Sequence, residues 1–126
     1  MFCFLKIWGF YQLEKPLINK AISGLYPPGS TIKPIVYAAA IDNGYSPCYP
    51  VIDAPVVFDL PGQDPPYWKP ENANGKWSGE TMTIRKAMAK SVNSITAFMT
   101  KKLGPKTVVD YAKKLGITSK LDAVPA

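Results

Sequence analysis

Pro27, Pro28 and Gly29 resist a helix, and they run directly into a stretch that calls for one. Ile32, Ile35, Val36, Ala39 and Ala40 recur at the i, i+3, i+4, i+7, i+8 spacing of an amphipathic helix. The helix therefore has to open at Ser30 or Thr31, and the expectation is a helix from Ser30 to Asp42, with Asn43-Gly44 as its stop. Pro34 falls near the limit of the first turn, where a missing N–H is tolerated. Ser30 and Lys33 then lie one turn apart on one face, at the positive end of the helix. That is a hydroxyl nucleophile beside a candidate base, near backbone N–H groups able to hold an oxyanion. A lysine serves as a base only where burial or neighbouring charge lowers its pKa toward neutrality. S-x-x-K spacing also arises by chance, and a serine cap beside a solvated lysine is the plain alternative. The Gly29-Ser30 junction, which lets backbone approach a ligand closely, weighs against that alternative. So does a second polar cluster, Ser91-Val92-Asn93, where two helical patterns meet.

Taken in order, residues 1–13 alternate bulky apolar and aromatic residues and suggest a strand. Glu14 to Ser23 carries a short helical stripe of Leu17, Ile18, Ala21 and Ile22. Residues 45–80 hold most of the prolines and two tryptophans. They read as a long irregular loop with one short strand at Val56-Val57-Phe58-Asp59. Packing over the core is the favoured role for Tyr67, Trp68 and Trp77 there, ahead of substrate contact. From Thr81 to Lys102 there are two stripes, Ile84, Ala87, Met88 and then Ile95, Phe98, Met99, Leu103. Ser91 and Asn93 stand between them. Residues two apart on one helix point to nearly opposite sides, so the helix must break if both serve one site. Gly104-Pro105 punctuates next, with Pro105 suited to open a helix whose inner face is Val108, Val109, Ala112 and Leu115 and whose cap is Gly116. The last ten residues carry no pattern.

The length suits one domain or part of one, and a 47% hydrophobic content is globular. The absence of histidine excludes His-based catalysis and most zinc sites. A net charge of +6 raises the possibility of a nucleic-acid-binding domain, but the lysines form no block. Lys101-Lys102 and Lys113-Lys114 fit the last turns of helices, where cations oppose the dipole. Cys3 and Cys48 have no metal-ligand spacing, and pairing them would require an oxidising compartment. The apolar N-terminal decapeptide is too short to span a bilayer and lacks the marks of a signal peptide.

Serine acylating enzymes combine S-x-x-K with a second serine motif and a Lys-Thr-Gly. With S-T-I-K at 30–33 and S-V-N at 91–93, this chain resembles the serine β-lactamase and penicillin-binding protein superfamily. The stretch from Leu25 to Pro34 is similar to the nucleophile region of a penicillin-binding protein transpeptidase domain. Thr83 to Asn93, with Leu103-Gly104-Pro105 and Leu115-Gly116-Ile117, resembles the second-motif region of the class A enzymes, whereas Tyr26-Pro27-Pro28-Gly29 is nearer class B. The resemblance covers about residues 17–126, and neither Lys-Thr-Gly nor Lys-Ser-Gly occurs.

The resemblance implies an α/β fold of which this chain is mostly helix and irregular loop, without most of the central sheet. Residues 1–126 would form a partial transpeptidase domain, a fragment ending before the third motif, with 45–80 as a loop insertion. It implies acyl transfer on peptidoglycan stem peptides. Ser30 attacks the penultimate D-alanine carbonyl, Lys33 takes the proton, Ser91 relays it toward the leaving amine, and Asn93 holds Lys33 and the substrate amide. β-Lactams acylate the same serine, and no cofactor or metal is needed. The parent protein would be membrane-anchored at the outer face of the bacterial cytoplasmic membrane, facing the periplasm. Alone, the chain would be poorly active and prone to self-association through unpacked apolar faces. The alternative class is a catalytically inert fragment or interaction module with vestigial motifs. A β-lactamase is a lesser variant, for which no base to activate the deacylating water is found.

Overall fold

The computed structural model describes residues 28–121. The strand expected over 1–13 and the helix expected over Glu14 to Ser23 lie outside the described residues. A single 3-10 turn at Gly29–Ile32 leads into α1, Lys33–Asp42. Proline explains the tight first turn. An α-helical bond to the Ser30 carbonyl would have to come from residue 34, but Pro34 has no N–H; the Lys33 N–H donates to that carbonyl instead.

Strands β1 (Pro50–Ile52), β2 (Phe58–Asp59), β3 (Tyr67–Trp68) and β4 (Thr81–Thr83) follow. They form two antiparallel two-stranded pairs, β1 with β4 and β2 with β3. The expected strand at Val56 to Asp59 is thus real only in its second half. The segment after α1 also carries β1 and β3, and β4 closes it. Strands of two or three residues are too short to show a period-2 pattern, and Pro50 opens β1 on its exposed edge. Trp68 tilts against Phe58 with ring centroids 5.4 Å apart. Trp77 lies half-buried under the Lys69 ammonium, and Tyr67 is exposed.

Helices α2 (Ile84–Ala89), α3 (Asn93–Leu103) and α4 (Pro105–Lys114) complete the order. Thr83 caps α2 by accepting the Lys86 N–H at 3.2 Å, and Pro105 opens α4 as expected. α1 packs against α2, α3 and α4. The core joins Val36, Tyr37 and Ala40 of α1 to Val51, Met82, Ile84, Ala87, Ile95, Met99 and Val108. Burying one such side chain contributes about 1.5–3 kcal/mol, so α1 is anchored by its inner face and its N-terminal turn is left at the surface.

Three helices end in the same hydrogen-bond pattern. After α1, the Gly44 N–H reaches the Ile41 carbonyl and the Tyr45 N–H reaches that of Ala40, both at 3.0 Å. After α4, Gly116 and Ile117 repeat this on Lys113 and Ala112. After α2, Ser91 and Val92 repeat it on Met88 and Ala87. This is the Schellman ending, which places one residue in the left-handed region. Gly44 (φ 93°) and Gly116 (φ 95°) take that role without strain; at α2 it falls to Ser91, with φ 54°.

Cys48 is exposed, and Cys3 lies outside the described residues. Among the described residues no helix is long and apolar enough to cross a membrane.

Candidate active site

The left-handed residue at the end of α2 turns the chain sharply, so that α3 starts two residues later. This break brings Ser91 and Asn93 to one place despite their i, i+2 spacing. Both meet Lys33, whose side chain is 7% exposed. The Lys33 ammonium donates to the Ser91 carbonyl oxygen at 2.7 Å, to Ser91 Oγ at 2.8 Å and to Asn93 Oδ1 at 2.6 Å. All three acceptors are neutral, and among the described residues Lys33 forms no ion pair. Burial, with no carboxylate to offset it, pushes the Lys33 pKa below the ordinary lysine value.

Ser30 stands in the exposed 3-10 turn, and Ser91 Oγ donates to its Oγ at 3.3 Å. The structure thus gathers all four residues that sequence pattern and resemblance single out, with one difference from expectation. Ser30 and Lys33, expected one turn apart at the start of a single helix, have no direct hydrogen bond among the described contacts, and Ser91 Oγ bridges them. The tight turn imposed by Pro34 starts α1 at Lys33 and leaves Ser30 in a separate 3-10 turn.

A second group of polar residues supports the first. Asn93 Nδ2 donates to the Glu71 carbonyl at 2.7 Å, which fixes the amide so that Oδ1 faces Lys33. Asn72 Oδ1 accepts the N–H groups of Asn93 at 3.0 Å and Ser94 at 3.1 Å. Val92 offers α3 no side-chain cap, so Asn72 supplies one from a distant loop. Asn72 Nδ2 donates in turn to Asp53 Oδ1 at 2.8 Å. Asp53 is buried and accepts three further hydrogen bonds, from Ser94 Oγ at 2.5 Å and from the Ser78 N–H and Oγ, both at 2.8 Å. Burial pushes the Asp53 pKa up, but the combined donors from Ser94, Ser78 and Asn72 outweigh it and hold the carboxyl at about 2. Asp53, Glu71, Asn72, Ser78 and Ser94 were not legible as site residues from the sequence. The one local signal was the Asn72–Gly75 turn, closed by the Gly75 N–H on the Asn72 carbonyl at 2.8 Å.

A buried amine held by neutral acceptors and linked through one hydroxyl to an exposed second hydroxyl can accept a proton and activate the outer oxygen. Comparison with known proteins identifies the family. The penicillin binding protein transpeptidase domain matches residues 8–123. The chain is similar to penicillin-binding protein 1A of Neisseria meningitidis, 34% identical over 113 residues that cover 88% of this chain and 14% of that protein. It is equally similar to penicillin-binding protein 1A of Pseudomonas aeruginosa, 34% identical over 108 residues, 86% of this chain and 13% of that protein. The chain therefore spans 14% or less of the length of these relatives. Among solved structures, penicillin-binding protein 1A from Haemophilus influenzae superposes with a TM-score of 0.75 at 28% identity, covering 85% of this chain and 16% of that one. Penicillin-binding protein A from M. tuberculosis, solved as an imipenem acyl-enzyme complex, gives 0.61 at 31% identity, covering 75% and 21%.

Proposed function

The chain belongs to the penicillin binding protein transpeptidase domain family, and from that premise we propose that it carries the nucleophile side of a peptidoglycan D,D-transpeptidase site. The observation that carries this reading is the hydrogen-bonded line from Ser30 Oγ through Ser91 Oγ to Lys33 Nζ, at 3.3 and 2.8 Å.

With Lys33 as ammonium, each hydroxyl in the line receives or donates away from the amine. For acylation the line reverses. Neutral Lys33 keeps two protons on the Ser91 carbonyl oxygen and Asn93 Oδ1 and turns its lone pair to the Ser91 hydroxyl. The Ser91 hydroxyl donates to Lys33, and the Ser30 hydroxyl donates to Ser91 Oγ. As Ser30 Oγ bonds to the penultimate D-alanine carbonyl of a stem peptide, its proton passes to Ser91 and the Ser91 proton passes to Lys33. Collapse expels the terminal D-alanine, whose amine takes a proton back along the same line. An amine of a neighbouring stem peptide then resolves the ester. A β-lactam acylates Ser30 by the same steps, with the ring nitrogen as leaving group. Burial of Lys33, which favours the neutral amine, supports its role as base. Asn93 orients Lys33 and presents its amide edge toward the substrate. In the proposed setting the whole protein works at the outer face of the bacterial cytoplasmic membrane.

The test is a covalent adduct. A polypeptide of these 126 residues is incubated at length with excess fluorescent penicillin, and the labelled peptide is identified by mass spectrometry. Labelling at Ser30 that disappears in Ser30→Ala and Lys33→Ala is the expected result. It should be slow, because no Lys-Thr-Gly is present to add a second oxyanion donor, and one such donor is worth on the order of a hundredfold. Labelling that survives Ser30→Ala would overturn the assignment.

A further inference from the structure

Among the described residues, Lys33 and Asp53 are the only buried charged side chains. They make no direct ion pair, yet hydrogen bonds connect them through two asparagines. Lys33 Nζ donates to Asn93 Oδ1 at 2.6 Å, the Asn93 N–H donates to Asn72 Oδ1 at 3.0 Å, and Asn72 Nδ2 donates to Asp53 Oδ1 at 2.8 Å. Every donor along this path points toward the carboxylate. Hydrogen bonds aligned in one sense between a buried cation and a buried anion polarise one another in the same direction.

The path also removes alternatives. Asn72 Nδ2 is committed to Asp53 and to the Lys76 carbonyl, so its Oδ1 must face the start of α3. The Asn93 and Ser94 N–H groups are thereby held, and Asn93 Nδ2 is held by the Glu71 carbonyl next to Asn72. Asp53 itself cannot drift. Its N–H donates to the Glu80 carbonyl and its carbonyl accepts the Gly79 N–H, both at 2.9 Å, where β1 meets the segment leading into β4.

We propose that Asp53 is a positioning residue for the Ser30 reaction, acting through Asn72 to hold the Asn93 backbone N–H and so the placement of the Asn93 side chain, and through that side chain the position and charge state of Lys33. This rests on the assignment of Lys33 as the base. An asparagine at 53 would turn an NH2 group toward donors that now meet a carboxylate, from Asn72, Ser94 and Ser78. The path to Asn93 would then lose both its anchor and its charge.

The test reads Lys33 directly. The 126-residue chain is prepared with 13C-labelled lysine, and the Lys33 Cε shift is titrated by NMR in the wild type, Asp53→Asn and Asn72→Ala. The expected result is a Lys33 midpoint displaced to lower pH in both variants, because a displaced Asn93 acceptor no longer favours the ammonium. Acylation by fluorescent penicillin, scored on the same samples, should fall by about tenfold to a hundredfold, the range for a misplacement of the reacting groups. An unmoved midpoint in folded Asp53→Asn overturns the proposal, since a purely structural carboxylate would leave Lys33 untouched. If Asp53→Asn does not fold, Asn72→Ala decides the matter, because it keeps the Ser78 and Ser94 bonds to Asp53. A displaced midpoint with no Ser30 adduct in the wild type supports the role of Asp53 while overturning the acyl-transfer assignment. A Ser30 adduct with an unmoved midpoint does the reverse.

Discussion

Ser91 gives Lys33 two acceptors at once, its carbonyl oxygen at 2.7 Å and its hydroxyl at 2.8 Å. The two contacts have different origins. The carbonyl contact belongs to the backbone turn and survives any side-chain change that keeps the turn, whereas the hydroxyl contact belongs to serine alone. Ser91→Ala should therefore fold normally and hold Lys33 through the carbonyl and Asn93. Its acylation rate should fall by roughly a hundredfold or more, the usual contribution of a positioned proton carrier. Stopped-flow or gel-based acylation kinetics measure this; a loss under threefold would remove Ser91 from the proton path.

The left-handed backbone of Ser91 has a cost that a pair of variants can isolate. Ser91→Ala and Ser91→Gly both lose the hydroxyl, but only glycine relieves a φ of 54°. Ser91→Gly should be the more stable of the two by about 1 kcal/mol, and both should be equally impaired in acylation. Chemical denaturation of the two variants side by side measures the difference. Equal stability would mean that the turn stores no strain.

The pH profile should report Lys33. With the neutral amine as the proposed base, acylation should rise with pH up to a limb set below the ordinary lysine value of 10.5. Lys33→Arg, which stays charged, should show no such limb and no acylation. The sign for stability follows from linkage. Between the lowered native pKa and 10.5 the unfolded chain binds more protons, so folding should strengthen as pH rises through that window. Denaturation midpoints at several alkaline pH values, compared with Lys33→Met, test this; a wild type that parallels Lys33→Met would refute it.

Asp53 works in the opposite direction. Its carboxyl is held at about 2 against an ordinary 3.8, so its stabilisation is complete above 3.8 and is lost as pH falls through about 2. Acid titration of stability should show a component in that interval that Asp53→Asn lacks. The same acid sensitivity in the variant would assign it to other carboxyls.

A pair between α1 and α3 offers a test of the packing behind the site. Thr96 Oγ1 donates to the Val92 carbonyl at 2.9 Å, so the buried Tyr37 hydroxyl, 3.1 Å away, is the donor to Thr96. Tyr37→Phe leaves Thr96 satisfied and should cost about 1 kcal/mol. Thr96→Val strands the buried tyrosine hydroxyl and should cost more, about 1–3 kcal/mol. Thermal unfolding of the two variants ranks them, and the reverse order would mean the hydroxyl finds another acceptor.

Local rules were sufficient for the helices and for the four residues that meet around Lys33. A proline-rich start, a periodic apolar stripe and a glycine stop are all short-range signals, and α1 and α4 follow them, except that Leu115, expected on the inner face of α4, lies past its last turn and is exposed. The break between Ser91 and Asn93 was also legible, because i, i+2 residues cannot share a helical face. The device that makes the break was not. A serine in a left-handed turn carries no mark in the sequence, since the turn is imposed by bonds to Met88 and Ala87 that any residue can make. Of the short strands only β2 was legible, and that in part; β3, its partner, exists through the pairing and not through its own residues. Asp53 and Asn72 escaped because their partners are 19 to 41 residues away in the chain. The expected nearness of Ser30 and Lys33 is met through an intermediary, with Ser91 Oγ between them.

The cap that Asn72 places on α3 also bears on the order in which the molecule assembles. An eleven-residue helix with no local cap is marginal by itself. Its first turn can be completed only when the chain between β1 and β4 has closed around Asp53. Formation of the Lys33 site is therefore a late event, tied to long loop closure and not to helix nucleation. In the native state the dependence runs the other way. Opening of that segment alone would release Asn93 while α1 stays packed and Ser91, tied to α2, keeps its two contacts with Lys33, so the Asn93 contact can come and go apart from the rest of the site.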